Sequence, residues 1–230
     1  MVKQQRRISK KEIKQDELLE FLYKGERFVR RNTKLLSYVG IGIVAVVVIG
    51  LLMYNSRQNA EQQMAAALGA AQPLFDQQNY EQVIQELEPA VNQYSGTENA
   101  GIGVFYIASS HFRLEEYEQA KEYYQEYLNK YDNDPVLGAA AQAALGDIAR
   151  HGGNPGDAME YYRKASRRAP HKFLVQKYSL EAARSAIGAG ETQQARKLLT
   201  GLLESEEIQS GYRTEAKELM ASLQVHQAIE

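Results

Sequence analysis

The 230-residue chain contains no cysteine. That absence excludes disulfides, thiolate metal centres, thiol nucleophiles and a lipid carried on a cysteine, and it suits an oxidising space such as the bacterial periplasm. Catalytic signatures are missing too. There is no glycine-rich phosphate loop, no His-Glu-x-x-His and no Gly-x-Ser-x-Gly. Histidine is scarce: His111, His151, His171 and His226 lie 20 to 55 residues apart, without carboxylates at ligand spacing. His111 falls on an apolar helix position and is read as a packed side chain, not a ligand. No cofactor, no metal and no enzymatic activity are expected.

Charge is missing from one stretch. Residues 35–54 hold no charged side chain and twelve Leu, Ile or Val. As a helix this segment measures roughly 30 Å, the thickness of a bilayer's hydrocarbon core. A cleavable signal peptide needs an apolar region of only ~7 to 15 residues followed by a small-x-small site. Here Tyr54-Asn55-Ser56-Arg57 follows, so a retained single-pass anchor in the cytoplasmic (inner) membrane is expected. Basic residues are also scarce just beyond it, where Arg57 is the only Lys or Arg from Asn55 to Phe112. Residues 1–34 carry eleven Lys or Arg against five Asp or Glu, a formal +6, and residues 55–230 carry sixteen against twenty-four, a formal −8. Lys and Arg flanking a span stay on the side of insertion, so the N-terminus is expected in the cytoplasm and the bulk domain outside it. An acidic bulk domain argues against nucleic acid as a partner.

Within that domain the sequence repeats. From Ala139 to Pro170, Leu145 and Gly146 precede a turn at His151 to Gly156, followed by Ala158, Tyr162, Ala165 and Pro170. This resembles the tetratricopeptide repeat, in which small residues let two helices approach closely and an aromatic fills the space to the next pair. Ile107, Ala108 and His111, with Tyr117, Ala120, Tyr124 and Leu128, fit the same register and run on to Pro135. Units start near 64, 101, 139 and 176, at intervals of 37, 38 and 37 residues. Val83 and Leu202 replace small residues in the outer units, as terminal repeats tolerate. The predicted architecture is all-α: residues 1–34 a basic amphipathic segment, 35–54 the membrane helix, 55–63 a linker or helix extension, 64–208 the repeats of an α-solenoid, and 209–230 a capping helix and tail. The cap is expected from about Gly211 to Gln227, with Ala216, Leu219, Met220, Leu223 and Val225 inward.

Before the membrane, residues 9–31 read as a helix with a Ser9/Glu12 capping box and Leu18, Leu22, Gly25 and Val29 on one face, broadened by Phe21 and Phe28. Arg27, Arg30, Arg31 and Lys34 are candidates for contact with anionic membrane lipids, at about 1 kcal/mol each. In the repeats, the inward positions of each first helix select a candidate partner groove. These are Leu68, Gln72 and Phe75; then Phe105, Ser109, Phe112 and Arg113; then Asp147, Arg150 and His151; then Arg184 and Ile187. Aromatics supply area and Arg grips carboxylates or backbone carbonyls, a mixture suited to an extended peptide or a partner helix. The Lys and Asn pattern of chaperone-tail-binding repeats is absent, since Leu68 and Gln72 stand where it would begin. Arg163, Lys164, Arg167, Arg168, His171 and Lys172 form a basic run, read first as a solvated face and second as a patch for an acidic partner or the membrane surface. Tyr123, Tyr124, Tyr127 and Tyr131 are expected to divide between the inter-repeat core and its edge.

A basic amphipathic start, one membrane helix and about four tetratricopeptide-like repeats together resemble the bacterial ancillary SecYEG translocon subunit family. The resemblance implies an inner-membrane protein associated with the export channel and periplasmic chaperones. Its partners would be membrane lipids and other proteins, and its role non-enzymatic. The alternative expectation is a scaffold of another envelope machine, in cell division, outer-membrane assembly or cytochrome maturation.

Overall fold

The structure is a computed structural model that describes residues 22–205 and 207–229, residues 225–229 by their backbone alone. Among the described residues every regular element is a helix, and there is no strand. The chain divides into two compact units, Met1–Ser56 and Arg57–Glu230.

In the first unit, α1 covers residues 22–31 and α2 begins at Thr33. Asn32 marks the junction. Its side-chain amide donates to the Phe28 carbonyl at 3.0 Å, and its own carbonyl accepts from the Leu36 N–H at 2.9 Å. Of the expected amphipathic helix, Ser9, Glu12, Leu18 and Phe21 lie outside the described residues, while Leu22, Phe28 and Val29 are exposed on α1. Every residue from 35 to 54 is exposed as well, and the helix is long and apolar enough to cross a membrane. α2 runs without interruption to Asp76, so residues 55–63 are helix extension.

The second unit is a solenoid of helix pairs. The last stretch of α2 precedes α3 (Tyr80–Gln93); α4 (Glu98–Arg113) precedes α5 (Tyr117–Lys130); α6 (Pro135–His151) precedes α7 (Pro155–Arg168); α8 (Lys172–Gly188) precedes α9 (Thr192–Leu203). α10 (Ser210–Ile229) closes the series against α9 and α8. First helices start at 98, 135 and 172, and second helices at 80, 117, 155 and 192, so the period of the sequence is the period of the fold. The sequence-based starts at 101, 139 and 176 fall about one turn inside the first helices. That added turn lengthens the unit beyond the usual ~34 residues. Pro135 accordingly opens α6 instead of closing the preceding unit: it occupies the first turn, where its missing N–H costs nothing, and Asp134 accepts from the Val136 N–H at 2.7 Å.

Small residues recur where helices meet. Ala71, Ala108 and Ala183 are buried at one equivalent position with Gly146, and Ala120, Ala158 and Ala195 with Val83 at another. A Cβ on Gly146 would sit 3.1 Å from the Tyr162 ring, so the glycine lets the aromatic lie flat on α6. Leu87, Tyr124, Tyr162 and Leu199 fill the next layer, all at least 96% buried. Tyr127 and Tyr131 are buried beside Tyr124, Tyr131 donating to the Ser95 carbonyl at 2.9 Å. Tyr123 sits at the edge, donating to Glu88 at 2.7 Å and stacked on His111. His111 is packed, with Nδ1 2.6 Å from Glu116.

Each hairpin turn has the same backbone. Gln78, Glu115, Gly153 and Gly190 take positive φ of 64°, 61°, 74° and 73°. The N–H of each donates three residues back, and the next N–H donates five residues back, for example Asn154 to Ala149 at 2.9 Å. This is the Schellman closure, which satisfies the last carbonyls of a helix. At the other end of the unit, Glu61 on α2 accepts from the backbone N–H groups of Glu98 and Asn99, at 2.7 and 3.2 Å, and so caps α4 from another helix.

Candidate interaction surface

The inward positions of the first helices share one concavity of about 590 Å³. Of the residues selected from sequence, Phe75, Phe105, Ser109, Phe112, Arg113, Asp147, Arg150 and His151 line it. Leu68 is half-buried against the core, Gln72 is exposed, and Ile187 packs half-buried on α10's side of the core; these and Arg184 are outside the lining.

One end is aromatic. Phe75 meets Tyr106 edge-on at 5.1 Å, Phe105 meets Tyr124 at 5.6 Å, and Phe112 lies against the His151 ring at 6.3 Å. His151 in turn stacks on Tyr117 at 4.9 Å. The other end is ionic. Arg150 spans Asp147 at 2.6 Å and Glu181 at 3.0 Å, Glu181 also accepts from Arg184 at 2.8 Å, and Arg184 reaches Glu215 on α10. Tyr162 completes the chain by donating to Asp147 at 2.7 Å. Burial and that hydrogen bond push the Tyr162 hydroxyl pKa up, so it stays a donor. Burial also opposes the Arg150 charge, but Tyr162, Asp147 and Glu181 more than offset it and hold the guanidinium above its ordinary pKa. Arg150 and Arg184, two of the three arginines expected to reach out to a ligand, are therefore already matched by acids of the fold.

Sequence reasoning passed over Lys177, Tyr178, Glu181 and Ala140, which also line the concavity. Ala140 and Lys177 occupy one equivalent position 37 residues apart, and extending the register back by one turn identifies them. The spacing leaves Tyr124 between the edge and the inter-repeat core and places Tyr162 in that core. Their hydroxyls emerge from it, Tyr124 3.1 Å from Ser109.

The basic run does not form one free face. Arg163 pairs with Glu160 at 2.6 Å, Arg168 with Asp132 at 2.6 Å and Lys172 with Glu207 at 2.5 Å. Lys164 lies 5.3 Å over the Tyr161 ring, and Arg167 and His171 are exposed. On α1 and at the start of α2, Arg27, Arg30, Arg31 and Lys34 are all exposed, Arg30 paired with Glu26 at 2.9 Å. Among the described residues no group of His, Asp or Glu is arranged to hold a metal ion.

Residues 105–172 match the tetratricopeptide repeat family model. Over that stretch the helix pairs are similar to tetratricopeptide repeats. The matched stretch begins midway along α4 and ends at the first residue of α8, spanning the units with the clearest small-residue pattern. No curated protein matches the chain. A tetratricopeptide match of this kind indicates a protein–protein interaction module and supports proteins as the class of partner.

Proposed function

We propose that the chain is a membrane-tethered, non-enzymatic tetratricopeptide module that recruits protein partners of the export pathway or of periplasmic chaperone networks. Residues 1–34 lie in the cytoplasm with Arg27, Arg30, Arg31 and Lys34 at the anionic lipid surface, residues 35–54 cross the inner membrane, and the repeats stand outside it. The observation that carries the reading is the concavity, whose aromatic end offers contact area and whose ionic end offers orientation. A segment of partner chain lies along Phe75, Phe105 and Phe112 and turns its polar groups toward Asp147, Arg150 and His151. The uncharged helix with its one-sided basic flank supports the topology. Tethering raises the local concentration of repeats near membrane-bound partners, so that weak contacts suffice.

A photo-crosslinking residue at Phe105 or Arg150, introduced in living cells, is expected to capture export-channel or chaperone chains. Capture of a division, outer-membrane-assembly or cytochrome-maturation component would move the module to that machine. No adduct at either position, with the protein well expressed, would remove the groove from the reading. A reporter fused after Glu230 tests the topology separately and should be active only outside the cytoplasm.

A further inference from the structure

Arg113 and Arg150 occupy one equivalent position near the ends of α4 and α6, and both line the concavity. Their surroundings repeat in part. Arg150 lies 5.8 Å over the Tyr162 ring, and Arg113 stands near Tyr124, the corresponding tyrosine of its own unit. Burial raises the Tyr124 hydroxyl pKa, and the Ser109 hydrogen bond and the Arg113 charge oppose that rise.

The acids do not repeat. Arg150 is held by Asp147, three residues before it, and by Glu181, 31 residues after it. The same steps from Arg113 lead to Ser110 and Ala144. The Ser110 hydroxyl is turned inward and donates to the Tyr106 carbonyl at 2.8 Å, while Ala144 adds only a methyl group to the lining. Acids near Arg113 in sequence do not replace them: Glu116 is held by His111, and neither Glu115 nor Asp76, at the corresponding place on α2, forms an ion pair with it. Arg113 is exposed, and among the described residues no carboxylate pairs with it.

The rest of the lining is charged in the same sense. Its acids are Asp147 and Glu181, and both are engaged, Asp147 by Arg150 and Tyr162 and Glu181 by Arg150 and Arg184. Lys177, exposed on α8, lies 5.8 Å over the Tyr178 ring and has no ion pair among the described residues. The two charges of the concavity left without a counter-ion are thus both positive. A carboxylate reaching Arg150 must displace Asp147 or Glu181, whereas one reaching Arg113 displaces only water from a guanidinium that can hold it by two parallel N–H···O bonds.

We infer that Arg113 is the carboxylate-binding residue of the concave surface, and that its partner is an internal protein segment carrying Asp or Glu beside the apolar side chains that meet Phe105 and Phe112. The inference rests on the groove reading above and specifies the occupant. A partner carboxylate takes at Arg113 the place that Glu181 takes at Arg150, and a second acid meets Lys177. Cations on two separate helices, α4 and α8, suit side-chain carboxylates spread along a segment better than the single carboxylate of a chain end.

The test uses the full-length protein in mild detergent and a labelled peptide of repeating Glu-Leu-Ser, about twelve residues long, with both ends capped to remove their charges. A three-residue repeat offers each side-chain type to both faces of an extended chain. Changing every Glu of the peptide to Gln should weaken binding by about tenfold. Arg113→Gln should erase that preference, weakening the Glu peptide by about tenfold and leaving the Gln peptide unchanged. Ala144→Glu, which gives Arg113 an acid of its own, should do the same, and Lys177→Gln should weaken the Glu peptide by about threefold. Arg113 is exposed, so the melting temperature of Arg113→Gln should stay that of the unchanged protein. Phe105→Ala should weaken both peptides alike.

Equal binding of the Glu and Gln peptides, or a Glu preference that survives both Arg113→Gln and Ala144→Glu, would overturn the inference. The groove reading would still stand if Phe105→Ala weakened both peptides. Indifference to Phe105→Ala, or no binding of either peptide, would remove the groove reading and the inference together. Tenfold tighter binding on uncapping the peptide's C-terminus would assign Arg113 to a chain end and overturn the internal segment.

Discussion

In the first two repeats the hairpin turns hold Gln78 and Glu115 at positive φ, whereas in the last two Gly153 and Gly190 occupy the same place. The hydrogen bonds are the same in all four. The cores differ as well: the position filled by Tyr127 in the second unit is filled by Ala165 in the third and Leu202 in the fourth, all buried. Charge follows the same division, with three Lys or Arg against twelve Asp or Glu over residues 64–134 and ten against eight, near balance, over residues 135–208. One backbone is thus reached twice by different means. The turn conformation comes from the closure of the helix end, and the residue placed there only raises or lowers its cost.

The largest expected effect comes from the aromatic half of the core. Tyr127→Ala removes a ring that is 1% exposed and should cost about 3–5 kcal/mol in chemical denaturation. A cost below about 1 kcal/mol would mean that the first units do not depend on their tyrosines as the packing indicates.

Alkaline pH probes the same residues. Burial pushes the Tyr124 and Tyr127 hydroxyls up from 10.0 to about 12. Their unfolded counterparts ionise near 10, so these tyrosines contribute stability in full below that pH and lose it as pH rises toward 12. Melting temperature should fall across that window, and Tyr124→Phe with Tyr127→Phe should flatten the fall. An equal fall in the double variant would assign the alkaline loss to other groups.

The smallest effects test the turns directly. Gln78→Gly and Glu115→Gly each relieve a left-handed residue and should stabilise by about 1 kcal/mol, while Gly153→Ala and Gly190→Ala should destabilise by about as much. The four changes together should exchange the two halves, leaving the left-handed cost in the last two turns. If the signs do not mirror one another, the turns differ in more than their residues.

Much of this fold is legible in the residues. The spacing of Ala108, Gly146 and Ala183 against Ala120, Ala158 and Ala195 gives the pairing of helices, because close approach demands small side chains whatever else varies. The twelve Leu, Ile and Val of residues 35–54 announce themselves by composition. Gly153 in Gly-Asn-Pro-Gly marks one turn and the repeat register places another around Leu114 to Glu116, but nothing in Gln78 or Glu115 signals a left-handed backbone, since their conformation is imposed by hydrogen bonds and not by their own preference. Of the concavity, register gives Phe105, Ser109, Asp147 and Arg150. The link from Arg150 to Glu181 and on to Glu215 joins residues tens of positions apart through side-chain rotamers that no local pattern encodes.

On the proposed reading, that link also governs how long a partner stays on the concave surface. A carboxylate arriving at Arg150 or Arg184 gains its contact by displacing one the protein already supplies, so the net gain is the difference between two similar bonds. Such a surface favours rapid turnover of occupants over retention, and leaves the lasting part of any grip to Arg113 and to the phenylalanines at its other end.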